Sequence, residues 1–97
     1  MFEKRILFFD VETQKSAEEV GGWTPEAIRK MKLAVGVTFD ALDQRYRIYG
    51  ESQARELIAA LRSADLVVGF NTLRFDYEVL RGYEAFSDPP SLDMLVE

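Results

Sequence analysis

Asp10 and Glu12 stand two residues apart, at the end of the apolar run Ile6-Leu7-Phe8-Phe9. Side chains alternate along a β-strand, so Ile6, Phe8, Asp10 and Glu12 share one face and Leu7, Phe9 and Val11 share the other. Both faces are apolar up to Phe9, which predicts a central strand covered on both sides. Two carboxylates on one face at the exit of such a strand repel each other and resist desolvation. A hard divalent cation would resolve the conflict, because Mg²⁺ and Mn²⁺ select carboxylate oxygens. The alternative is that Glu12 simply opens a solvated loop.

Asp76 is the third acid of interest. It falls in the first turns of a helix that follows the apolar segment Leu66-Val67-Val68-Gly69-Phe70. On its own it is an acid favoured by the helix dipole. With Asp10 and Glu12 it suggests three carboxylates converging on one sheet edge. Two divalent ions about 3.5–4 Å apart can clamp both oxygens of an in-line displacement at phosphorus. Asp10, deepest on its strand, would bridge the ions; Glu12 would serve the ion on the nucleophile side and Asp76 the other.

Composition narrows the alternatives. The 97 residues suit one small domain, and 47% apolar content with seven Phe predicts a packed core rather than disorder. The chain has no cysteine and no histidine, which removes disulfides, thiolate sites, the usual zinc sites and His-assisted nucleophiles. A formal net charge of −5 argues against wrapping nucleic acid by bulk electrostatics. It leaves room for an enzyme that takes a nucleic-acid end through bound cations. The N-terminal apolar stretch is too short for a signal core or a membrane span, so a cytoplasmic location is the default.

The elements that must position these acids follow from pattern. Residues 4–11 read as the first strand and residues 13–23 as a polar loop ending in Gly21-Gly22-Trp23. Thr24 as N-cap and Pro25 at the first position predict a short helix ending near Met31. Residues 32–39 form a second strand, with Gly36 marking a bulge or a close approach. A turn at residues 40–43 leads to a third strand over 44–49, making a hairpin. Ala54, Leu57, Ile58 and Leu61 define the buried stripe of a helix over 51–62. Residues 66–70 form a fourth strand, placed beside and parallel to the first by the crossover rule. A helix then runs from Asn71 to about Tyr83, and Ser91 begins a further element after Pro89-Pro90. The fold class is α/β, with a mixed sheet and flanking helices.

Phe9-Asp10-Val11-Glu12-Thr13 resembles the first motif of the DEDD-type 3′–5′ exonucleases, a ribonuclease H-like superfamily. Val68-Gly69-Phe70-Asn71 with Arg74-Phe75-Asp76 and Leu80 resembles the second motif, and Ser91-Leu92-Asp93-Met94-Leu95 the segment that follows it. The likeness is greatest to a bacterial branch of exonuclease-like proteins whose first loop carries a similar Glu-Thr-Gln-Lys-Ser stretch. The resemblance implies a ribonuclease H-like sheet, with strands 1–3 antiparallel and strand 4 parallel. It implies hydrolysis of phosphodiesters from a single-stranded 3′ end, with two Mg²⁺ or Mn²⁺ ions. Asp10, Glu12 and Asp76 match three of its four metal-binding acids; Thr13 and Asn71 match positions that help hold the terminal nucleotide. The fourth acid, preceded by a Tyr or His, belongs to a third motif beyond residue 97. Residues 1–97 are therefore expected to be one incomplete domain, with Asp93 a structural residue of the next helix.

Two other readings compete. A non-catalytic ribonuclease H-like module would keep the fold and bind nucleic acid or a protein. A phosphatase of the haloacid dehalogenase type also begins with a strand and paired acids, but wants Asp where Glu12 stands. Three further residues have a possible role at the site. Trp23 could stack on a base, although such a Trp more often packs a loop onto the core. Lys15 could touch a phosphate, and a solvated loop position suits it equally. Arg74 could steer the substrate backbone, although a surface ion pair is the commoner outcome.

Overall fold

A computed structural model describes residues 3–70 and 73–94. Five strands form one sheet in the order β3-β2-β1-β4-β5: β1 is Ile6–Thr13, β2 Leu33–Asp40, β3 Arg45–Tyr49, β4 Leu66–Gly69 and β5 Ser91–Asp93. β1 pairs antiparallel with β2, and β2 with β3. β4 pairs parallel with β1 from Ile6↔Leu66 to Phe9↔Gly69, as the crossover rule requires. β5 adds a second parallel neighbour, so Asp93 ends a strand and not the expected helix. The Ser91-Leu92-Asp93 alternation after two prolines is too short to distinguish a strand from a helix start by pattern alone.

Four helices accompany the sheet: α1 Ala17–Val20, α2 Pro25–Arg29, α3 Ala54–Arg62 and α4 Leu73–Arg81. The helical pattern predicted from residue 51 opens with one 3₁₀ turn at Glu51–Gln53. Ala54, Leu57, Ile58 and Leu61 all face inward, as their spacing predicts. They meet Leu7, Phe9 and Val11 of β1 and Leu73, Tyr77 and Leu80 of α4 in one core. Gly36 is the close approach and not the bulge: a Cβ there would lie 2.6 Å from Leu57 Cδ2. The register break falls beside it, where Glu12 pairs with Val35 but Thr13 pairs with Leu33.

Among the described residues, helices cover the sheet on one side only. β3 to β4 and β4 to β5 both cross over in the same direction along the sheet, so right-handed connections leave α3 and α4 on one face. Phe8 on the other face is 42% exposed. Phe8, Phe39 and Tyr46 stand opposite one another across β1, β2 and β3 and form an aromatic row, with ring centroids 6.4 and 4.7 Å apart. Ile48, Phe70, Leu92 and Met94 extend this bare apolar surface.

The polar loop between β1 and β2 contains α1. Ser16 and Glu19 form its capping box, with the Ser16 hydroxyl accepting from Glu19 N and the Glu19 carboxylate accepting from Ser16 N. α2 starts as predicted, with Thr24 accepting from Ala27 N. A second small core of Ile28, Met31 and Val79, joined by Ala17, Val20 and Phe75, fixes α1 and α2 on the outer side of α4. No helix among the described residues is long and apolar enough to cross a membrane.

Candidate active site

β1 carries Asp10 and Glu12 on the exposed face, as alternation requires, with Val11 buried between them. β4 ends at Gly69, opposite Phe9, so β1 runs on past its parallel neighbour. α4 crosses this overhang. Its Asp76 is only 5% exposed, and its carboxylate accepts a hydrogen bond from the Val11 backbone. The third acid thus reaches the one residue that separates the other two.

Asp76 is held there at an electrostatic cost. Burial is the main cause that pushes its pKa from 3.8 up to about 8, with the charges of Asp10, Asp93 and Glu12 adding to it and the Val11 hydrogen bond opposing it. At neutral pH this carboxyl is mostly protonated unless a positive charge arrives. The helix dipole alone does not put an acid in this position, because a first-turn acid satisfied by the dipole sits at the surface.

Asp93, expected to be a structural residue, is part of this neighbourhood. Its Oδ2 accepts from Leu73 N at 2.7 Å, so β5 supplies a cap to α4 from twenty residues away. The only signal that could have revealed this is β4–β5 pairing, which aligns Asp93 with Gly69 just ahead of the helix.

Thr13 is half-buried at the register break, and its hydroxyl donates to the Lys15 carbonyl at 3.0 Å. That bond shapes the turn out of β1 and leaves the hydroxyl oxygen able to accept. Asn71 lies outside the described residues. Lys15 and Arg74 are both exposed, on the segment after β1 and the first turn of α4. Arg74 lines a hollow of about 420 Å³ with Tyr77, Ser91 and Asp93. Trp23 does not pack a loop onto the core: it is 68% exposed and rests on Phe75.

Asp10, Glu12 and Asp76 supply oxygen donors only, the chemistry that suits Mg²⁺ or Mn²⁺. Among the described residues, no three acidic side chains are arranged to hold one metal ion. The acids are close enough to perturb one another but do not converge on a single point. Asp10 also lies at the rim of an apolar hollow of about 470 Å³, lined by Phe8, Phe39, Tyr46 and Phe70 on the bare sheet face. No family model matches the chain, and no curated protein matches it.

Proposed function

We propose that this chain carries the acidic edge of a ribonuclease H-like, metal-dependent 3′–5′ exonuclease domain that hydrolyses phosphodiester bonds in single-stranded nucleic acid. The observation that carries the reading is the buried Asp76 carboxyl on the Val11 backbone, between Asp10 and Glu12. A structural role would be served as well by Asn, without the repulsion. An acid kept there against burial and three neighbouring charges is poised for a cation. The sheet adds support, having the antiparallel strands 1–3 and parallel strand 4 that the motif resemblance implies.

Asp10, Glu12 and Asp76 would hold Mg²⁺ or Mn²⁺. A bound ion supplies a polarised water and charge stabilisation at phosphorus. The protein's own part is to fix the donors. The β1 ladder sets the spacing of Asp10 and Glu12, and the α4–β1 packing sets the depth of Asp76. Thr13, and Asn71 by its motif position, would hold the terminal nucleotide.

The test is hydrolysis of a 3′-labelled single-stranded oligonucleotide across a Mn²⁺ titration, with wild type beside Asp10→Ala. The expected result is Mn²⁺-dependent loss of the terminal nucleotide, reduced at least about 100-fold by the substitution. Equal degradation by both proteins would sink the assignment. Metal-independent binding with no cleavage would point to the non-catalytic module instead.

A further inference from the structure

We propose that Trp23, seated on Phe75 of the helix that carries Asp76, is a nucleobase-stacking platform, and that its ligand is a base of single-stranded nucleic acid. This rests on the exonuclease reading and adds to it the group that grips the substrate's base.

Trp23 is the only tryptophan in the chain. It keeps 68% of its surface in water, although the loop lies directly over the small core of Ile28, Met31 and Val79. Its ring meets Phe75 at a centroid distance of 5.7 Å and a tilt of 55°. One side of the indole is therefore backed by an aromatic ring while the rest stays open. Phe75 is in turn supported by that small core, against which it packs from α4.

The exposed pose is built into the backbone on both sides of Trp23. Before it, Gly21 and Gly22 have φ of +96° and +132°, and both amides donate to the Ala17 carbonyl at 2.9 and 2.8 Å. A Cβ on either glycine would meet nothing within 4 Å, so backbone conformation, not space, calls for glycine there. After it, Thr24 caps α2 by accepting from Ala27 N at 3.2 Å. Trp23 thus sits between the C-cap of one helix and the N-cap of the next. An aromatic held out by two caps is pre-organised, so little conformational freedom is lost when a ring stacks on it.

Position gives the platform its ligand. Phe75 directly precedes Asp76, and the α1–α2 segment that carries Trp23 leaves β1 directly after Glu12 and Thr13. Chain adjacency thus ties the platform to both segments that bear the acids, and the base it receives would belong to a nucleotide whose phosphate lies at that edge. Exposed Lys15 and Arg74 come from the same two segments and offer charge to adjacent phosphates. Aromatic stacking accepts every base, because each has a π face. The platform therefore predicts grip without sequence preference.

The single tryptophan makes the test direct. The full chain is titrated with hexathymidylate in Ca²⁺, following both tryptophan emission and the anisotropy of a dye on the oligonucleotide. The same titration is run with an abasic sugar–phosphate chain. Stacking predicts quenching by the thymidylate and none by the abasic chain. Trp23→Ala should weaken thymidylate binding roughly 5- to 150-fold and leave abasic binding unchanged. Trp23→Phe should restore most of the affinity, and it guards against a variant that merely misfolds. Thymidylate binding without quenching, or equal weakening of both ligands by Trp23→Ala, overturns the platform while leaving the nuclease reading intact. Quenching with no Mn²⁺-dependent cleavage keeps the platform and removes the nuclease. Absence of any oligonucleotide binding removes both, and would leave the exposed Trp23 to a protein partner.

Discussion

Asp76 shows how one side chain can be read from sequence for its type and not for its energy. Its place after the fourth strand names it as a candidate, but Phe75, Val79, Leu80 and Tyr83 already supply an apolar face, so nothing in the pattern displays its burial. In the structure Asp76 and Tyr77 are buried as well, since α4 lies across the end of β1 and not only along the core. The consequence is a measurable pH dependence. The folded pKa of about 8 exceeds the ordinary 3.8, so between these values the native chain binds more protons than the unfolded one. The stability that protonated Asp76 contributes is complete below about pH 4 and is lost as pH rises through 8. The loss is on the order of 6 kcal/mol at most. Asp76→Asn should flatten this slope, keep the Val11 hydrogen bond, and make the chain more stable than wild type at pH 8. Urea unfolding of both proteins at pH 5 and pH 8 checks it, because titrating groups not coupled to Asp76 cancel in the comparison. Trp23 illustrates the opposite limit. Composition favours a buried Trp, whereas in the structure it stands exposed between the positive-φ glycines and the Thr24 cap.

Among the elements, those defined by short-range rules were legible. The Thr24-Pro25 start of α2, the inward stripe of α3 and the β1–β4 pairing all follow from caps, periodicity and handedness. The Ser16–Glu19 capping box was equally readable, but it sits in a polar run too short to carry a hydrophobic period. Long-range links between elements were not legible. Tyr83, just past α4, accepts from Leu33 N at 2.8 Å and donates to Glu51 at 2.7 Å. Gln14 Nε2 donates to the same Glu51 and to the Leu33 carbonyl, both at 2.9 Å. These bonds tie the helix to the register break next to Glu12. Tyr83→Phe leaves the Leu33 amide without its acceptor and should destabilise the fold by about 1–3 kcal/mol. Amide exchange at Leu33 should accelerate more than at Val37 in mid-strand. Leu57→Ala, at a site with no exposed surface, should cost about 3–5 kcal/mol in the same unfolding assay, because Gly36 offers no side chain to fill the gap.

For the molecule as a whole, the defining property is a sheet with one face packed and one bare. Sequence alternation predicted apolar residues on both faces of β1 but could not say which helices would cover them. That depends on the direction in which the sheet grows, and both crossovers run the same way. The bare face carries Tyr46 at 71%, Ile48 at 70% and Phe70 at 65% exposure, a large continuous apolar surface for so small a chain. The expected outcome is strong binding of a hydrophobic dye such as anilinonaphthalene sulfonate to the fully native protein. Ile48→Thr combined with Tyr46→Thr should cut dye fluorescence by half or more, with stability changed by less than about 1 kcal/mol. Dye binding that survives both changes would move the apolar surface elsewhere. The Asp93 cap on Leu73 links the start of α4 to the far edge of the sheet. Leu73 N meets that acceptor only while β5 lies beside β4, so the helix that carries Asp76 and the last strand pairing support each other. Any change that loosens β5 is therefore felt at the third carboxylate, although the two are far apart in sequence.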